Sequence, residues 1–326
     1  RECPDADARA LELAARVTSG DECYPEMITL GTFLRLAEQP GFDHARNAFF
    51  MPTAGGPCRF GQYAPFVGKV LEDLHLDDIQ LFSPTSADGY KDIGGSAGEL
   101  MRTAWHALVI SDVLRKFLHK TRAYEKNPGE ADQAHEDSLR DVCRVLEKPG
   151  LKPKEKIAAL AAALAGCRDR FRAVPADYSE PRPLIGVVGE IFCRLNTFSN
   201  EQLIRRIEAL GGEGWLSDIT EWVWYTNFET LKRIRRAGKR ISLQMLGAVV
   251  KNRIQRSDEH ALVKSVHDDL AGYEEPADVK QVLDLAYPYL PHEGALGEMV
   301  LSVGKAVYLY TKGADGIVDI SPFTCM

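Results

Sequence analysis

The run LIGVVGEIF at 184–192 constrains the fold of this chain more than any other segment. It is continuous, apolar and β-branched, with no polar alternation, the pattern of a strand covered on both faces. Such strands lie in parallel sheets flanked by helices, so an α/β fold is expected. Earlier, AFFMP (48–52) and DIQLFSP (78–84) are short apolar runs bounded by turn residues, with an amphipathic stretch from Tyr63 to Leu74 between them. Strand, helix, strand is the unit of a parallel sheet. GIVDI (316–320) reads as a final strand.

Helical patterns fill much of the rest. MITLGTFLRLAEQ (27–39) spaces its apolar residues for a helix that begins just after Cys23, with Tyr24-Pro25 in the first turn. From Ser96 to about Ala173 the pattern is helical in three stretches, broken at Asn127-Pro128-Gly129 and Lys148-Pro149-Gly150. VPADYSEPRP (174–183) carries three prolines and reads as a connection. Ser199 with Gln202 predicts a capping box for a helix ending at Gly211-Gly212. Length and pattern together predict a first α/β domain over 1–176 with a helical subdomain at about 96–173, and a second α/β domain over 177–326.

Composition excludes several classes. With 45% apolar and 27% charged residues the chain is neither disordered nor collagen-like. A net charge of −7 gives no global reason to expect nucleic acid or an anionic membrane as partner. No apolar run approaches a membrane span, and the start at Arg1 shows neither an initiator Met nor a signal-peptide core. A cytoplasmic setting is expected, for a piece trimmed from a longer protein. Without GxxxxGK[ST] there is no Walker-type nucleotide site, and HEGAL at 292–296 lacks the second His of HExxH.

Seven cysteines in a chain this long favour reduced thiols over disulfide staples. Cys143 and Cys167 fall in apolar helical series and are expected in the core. Cys193, directly after the strong strand, is expected to pack, and Cys3 to be incidental. The remaining three differ. Cys23 precedes a helix in TSGDECYP, Cys58 lies in the glycine-rich loop TAGGPCRFGQY after a strand, and Cys325 follows GIVDI in SPFTC. Open α/β sheets build sites beyond the carboxyl ends of strands, and helix N-termini stabilise thiolates. Gly55, Gly56 and Gly61 would let backbone N–H groups approach an inorganic core. Three remote thiolates suit a cluster better than a zinc knuckle, whose ligands come in tight pairs. Spacing alone does not separate metal binding from merely reduced thiols.

TSGDECYPEMITLG (18–31), FFMPTAGGPCRFGQYAPF (49–66), RPLIGVVGEIFCRLNTFSNEQLIRRIEALGGEGWL (182–216) and GADGIVDISPFTCM (313–326) resemble the 2-hydroxyglutaryl-CoA dehydratase component D family. The likeness is nearest to the dehydratase-like region of large CoA-substrate-specific enzyme activase-related proteins, and 120–175 is its least distinctive part. It implies two Rossmann-like domains with parallel sheets, and an iron-sulfur cluster between them on Cys23, Cys58 and Cys325. Members hold a four-iron cluster that passes one electron to a bound 2-hydroxyacyl-CoA, or a double-cubane cluster that reduces small molecules. Both are charged by an ATP-hydrolysing activase, separate or fused, so ATP would enter only through that partner. Relatives are dimers, and a homodimer is expected. Too few thiols remain for a double cubane, so a single 4Fe-4S cluster with three cysteine ligands and an open or non-protein fourth position is expected. The alternatives are a non-catalytic binding or regulatory module of an activase-related protein that retains the fold, and a double-cubane small-molecule reductase.

Other residues carry paired readings. Arg59 binds a substrate carboxylate or CoA phosphate, or forms a surface ion pair. Ser19 and Glu22 flank Cys23 and offer a hydrogen bond or proton, with helix capping the ordinary role of Ser19. Glu190, placed inside the apolar strand, is either paired or functional. His292, with Glu293, is expected to begin a helix near Cys325 and to offer acid-base chemistry. Asn196 and Asn200 read as turn and cap residues, and Trp215, Trp222, Trp224, Tyr225 and Phe228 as core. The basic run LKRIRRAGKR (231–240) is a solvated face, or a dock for an acidic partner or CoA phosphates.

Overall fold

The structure, a computed structural model, describes residues 3–56, 58–85, 90–293, 297–323 and 325. Helix α1 (Ala8–Ala15) packs antiparallel to α2 (Tyr24–Ala37), followed by β1 (Ala48–Phe50), α3 (Phe60–Asp73) and β2 (Gln80–Phe82). Strands β1 and β2 pair in parallel, Phe49 opposite Leu81, as the strand-helix-strand pattern predicts. Phe33, Phe49, Val67 and Leu71 fill the space between this pair and its helices.

Three long helices follow: α4 (Ala97–Arg122), α5 (Glu130–Glu147) and α6 (Pro153–Arg172). They end where the Asn-Pro-Gly and Lys-Pro-Gly sequences break the pattern, Gly129 and Gly150 adopting positive φ. Leu114, Leu160 and Leu164 are wholly buried in their shared core, each contributing roughly 1.5–3 kcal/mol of burial. Leu262, at the end of a later helix, joins the same core. The buried stripe of α5 runs through Ala131, Ala134, Ser138 and Val142, which leaves Cys143 one residue off it and exposed. That corrects the expectation of a core Cys143. Cys167 and Cys193 are buried.

Strand β3 (Leu184–Gly189) is central in a three-stranded parallel sheet, flanked by β4 (Glu213–Leu216) and β5 (Gly316–Ile320). Between them lie α7 (Ile191–Leu195), α8 (Leu203–Ala209), α9 (Thr220–Arg236), α10 (Leu243–Val263), α11 (Val279–Ala286) and α12 (Glu298–Thr311). The strand is shorter than its apolar run. Gly189 has φ +117° and lies so close to the Ile320 backbone that a Cβ would fall 2.0 Å from its carbonyl oxygen. Only glycine fits there. The strand therefore ends, and Glu190 becomes the N-cap of α7. Strand β4 escaped the sequence reading because EGWL has neither alternation nor an apolar run, yet all four residues are buried.

Two local expectations at helix starts are also corrected. Ser199 donates to Asn196 rather than capping α8, while Asn200 accepts the Leu203 N–H at 3.2 Å. Cys23 is the N-cap residue of α2, and Ser19 does not cap that helix. The fold is thus α/β, mostly helical, with two small parallel sheets. No helix among the described residues is long and apolar enough to cross a membrane.

Candidate functional site

The Cys58 loop leaves the carboxyl end of β1, Glu190 follows the carboxyl end of β3, and Cys325 follows the carboxyl end of β5. These ends meet. Cys23 lies within electrostatic reach of both Cys58 and Glu190, and Cys325 within reach of Cys23, Cys58, Glu190 and a further carboxylate, Glu298. Loops from two separate sheets and from the start of α2 therefore converge on one place, as open α/β sheets permit.

The surroundings of the thiols are specific. Cys23 is half-buried, and its Sγ accepts a hydrogen bond from the buried Tyr63 hydroxyl at 3.2 Å. Burial raises the Cys23 thiol against this hydrogen bond. Cys58 is exposed and its Sγ accepts the Phe60 N–H at 3.4 Å. Cys325 is exposed as a residue, yet desolvation of its thiol and the nearby Glu190 push it up to about 12. Cys193 is raised first by burial and then by the nearby Glu190. Thiols and carboxylates meet here, and no cation ranks among the main influences on Cys23, Cys193 or Cys325.

Glu190 is not the strained carboxylate of a strand interior. Its oxygens accept the N–H groups of Phe192 at 2.9 Å and Cys193 at 2.8 Å, so α7 holds it in place beside the thiols. Glu298, at the start of α12, accepts the Ile191 N–H at 3.0 Å and faces Glu190. Burial, then Glu190, push it up to about 7, so it exchanges a proton near neutral pH. Sequence reading missed Glu298. Its only local mark is an acidic residue in a first helical turn, which is commonplace.

Arg59 donates through its guanidinium to the Asp21 carbonyl and so ties the Cys58 loop to the Cys23 loop. Glu22 accepts the N–H groups of Ser19 and Gly20 at 3.0 and 2.9 Å; set against burial, these bonds lower its carboxyl. It is an ionised acceptor that shapes the turn before Cys23. Gly55 and Gly56 are exposed, and Gly56 has φ +134°. Gly61 lies in the first turn of α3, where a Cβ would approach the Ala54 carbonyl to 2.8 Å. His292 sits elsewhere. It is in a turn rather than opening a helix, with Nδ1 3.1 Å from Lys232 Nζ and its ring edge-on to Phe228. Residues 294–296 lie outside the described residues.

Behind the thiols, next to the carboxyl ends of β3 and β4, lies a buried ionic network. Lys116 bridges Asp218 at 2.7 Å and Glu275 at 3.0 Å, and the wholly buried Lys305 bridges Glu221 at 3.0 Å and Glu275. A small, partly open pocket beside it is lined by Arg194, Ser217, Glu221, Glu298 and Lys305, among others. Among the described residues no trio of His, Cys, Asp or Glu is close enough for a single metal ion.

Fold and site together define an α/β protein with a thiol-rich centre at the meeting of strand ends. No family model matches the chain, and no curated protein or solved structure matches it either.

Proposed function

We propose that the protein is an iron-sulfur component of low-potential one-electron chemistry, similar to 2-hydroxyacyl-CoA dehydratase component D and charged by an ATP-hydrolysing activase. One observation carries the reading: Cys23 at a helix start, and Cys58 and Cys325 beyond strand ends of two different sheets, lie within electrostatic reach of one another. The donor set fits a cluster. Each cysteine of a cluster ligates a different iron, so its thiols are spread more widely than the ligands of one ion. A bound cation would displace the protons of Cys23 and Cys325, which burial raises, to solvent or a nearby carboxylate. The parallel units β1-α3-β2 and β3-β4-β5 are what two Rossmann-like halves would supply.

In this reading Cys23, Cys58 and Cys325 hold a 4Fe-4S cluster, with a non-cysteine fourth position. The cluster would supply one-electron transfer at low potential. Tyr63 orients the Cys23 sulfur by its hydrogen bond, and Arg59 fixes the spacing of the two N-terminal cysteine loops. Glu298 holds or releases a proton near neutral pH at the edge of the site. An acyl-CoA substrate and a homodimer belong to the same proposal.

Anaerobic purification with iron and acid-labile sulfide quantification tests it, repeated for Cys58→Ala. About four irons per chain, lost in the variant, are expected, and about eight would indicate the double-cubane branch. Background iron unchanged by the substitution overturns the reading and leaves a binding or regulatory module.

A further inference from the structure

From Leu231 to Arg256 the chain has nine basic residues and no acidic one, although its net charge is −7. The rest of the chain is therefore more acidic still. This segment comprises the C-terminal third of α9, a short loop and the first two-thirds of α10. Among the described residues Lys232 and Arg236 pair with Glu293, and Arg256 with Asp278. Arg233, Arg235, Lys239, Arg240, Lys251 and Arg253 are exposed and have no ion-pair partner among the described residues.

The same helix exposes an apolar stripe. Leu243, Leu246, Val250 and Ile254 follow one another at intervals of three, four and four residues, on a single helical face. Leu243 is 87% exposed and Leu246 59%, and Val250 and Ile254 are exposed too. The opposite face is fully used: Met245 and Leu262 are buried, and Asp258 binds Arg102 and His106 of α4. Helix α10 is thus fixed to the body by one face and presents the other, aliphatic and bordered by cations, to solvent.

We propose that this face is the docking surface for an acidic protein partner that lays an apolar helix, flanked by carboxylates, along Leu243–Ile254. The charge pattern selects the occupant. Pairing with a second copy about a two-fold axis would set the same unpaired cations against themselves. Nucleic acid would leave the central stripe of leucine, valine and isoleucine without a partner. The stripe also lacks the Trp and Phe that anchor helices at membrane interfaces, whereas aliphatic residues at three- and four-residue intervals pack well against another helix. The inference is independent of the iron-sulfur reading.

The test uses the whole chain and a fluorescent synthetic helical peptide with a leucine seam bordered by glutamates, with a second peptide carrying lysines in their place. Saturable binding of the acidic peptide alone is expected, weakening as salt rises. Leu246→Asp with Val250→Asp, and separately Arg235→Glu with Arg240→Glu, should each weaken it about tenfold or more. All four positions are exposed, so unchanged melting of the variants confirms an intact fold. No saturable binding, equal binding of both peptides, or binding indifferent to these substitutions overturns the proposal. So does a dimer by light scattering that Leu246→Asp dissociates, or adsorption to phosphatidylserine vesicles that the same variants abolish.

Discussion

Two clusters of ionisable groups lie close together behind β3, and they are built on opposite principles. In the network of Lys116, Lys305, Asp218, Glu221 and Glu275, every acid faces a lysine, and Lys305 is wholly buried. Lys116 and Lys305 hold Glu275 down against burial, whereas burial raises Asp218 and Glu221 in spite of their lysines. At the thiol centre, Cys23, Cys58, Cys325, Glu190 and Glu298 are all groups that ionise to anions, and burial raises Cys23, Cys325 and Glu298. A cluster balanced in the sense that each acid has a lysine partner holds structure together; an unbalanced one of like sign is costly to keep charged and is ready for something positive. Burial is greater in the first, and chemistry is better placed in the second.

The largest effect should come from breaking the balanced cluster. Lys305→Met leaves Glu221 and Glu275 short of a partner and is expected to cost about 3–5 kcal/mol, read from urea unfolding. Cys58→Ala, at an exposed position of the unbalanced cluster, should leave the unfolding midpoint of the metal-free protein nearly unchanged. Equal losses for the two would erase the contrast.

A smaller effect separates the clusters by pH. The folded state raises Glu298 from 4.5 to about 7. Between those values the native state keeps a proton that the unfolded chain has lost, so stability falls as pH rises, and the full cost stands above about 7. Glu298→Gln should therefore match the wild type near pH 4 and exceed it at pH 8 by on the order of 3 kcal/mol. An equal difference at both pH values would show that its carboxyl does not titrate differently on folding.

The smallest effect is kinetic. In the metal-free protein at neutral pH, iodoacetamide should label exposed Cys143 within the native state, Cys325 more slowly, and buried Cys167 only on unfolding. Mass spectrometry of the labelled peptides gives the order. Cys325 reacting as fast as Cys143 would remove the upward shift on which the unbalanced cluster rests.

Much of the framework was legible in the sequence because it is local. The strand-helix-strand pattern at 48–84, the breaks at 127–129 and 148–150, and the strands at 184 and 316 come from periodicity and turn chemistry, and they stand in the structure. The failures are local patterns overruled by neighbours. The run LIGVVGEIF stops at Gly189 because the Ile320 backbone crowds it, and β4 forms because β3 and α8 bury it, not because of its own residues. Cys143 was placed in the core because apolar neighbours surround it in sequence, but a helix turns it by about 100° from Val142. In the candidate site, Cys23, Cys58 and Cys325 were marked by position at helix starts and strand ends, whereas Glu298 carried no mark.

The sequence by itself determined the α/β class, the helical stretches and the cysteines poised at element ends, since each depends on a few adjacent residues and a repeat of 2 or 3.6. Only the tertiary structure decided which ends meet. Arg59 reaching Asp21, Glu298 facing Glu190, and Lys116 reaching Asp218 each join residues far apart in the chain, through packing that fixes distances no spacing encodes. It likewise decided that one face of α10 is used and the other left open, because an amphipathic pattern specifies a buried stripe but not what remains when that stripe is satisfied.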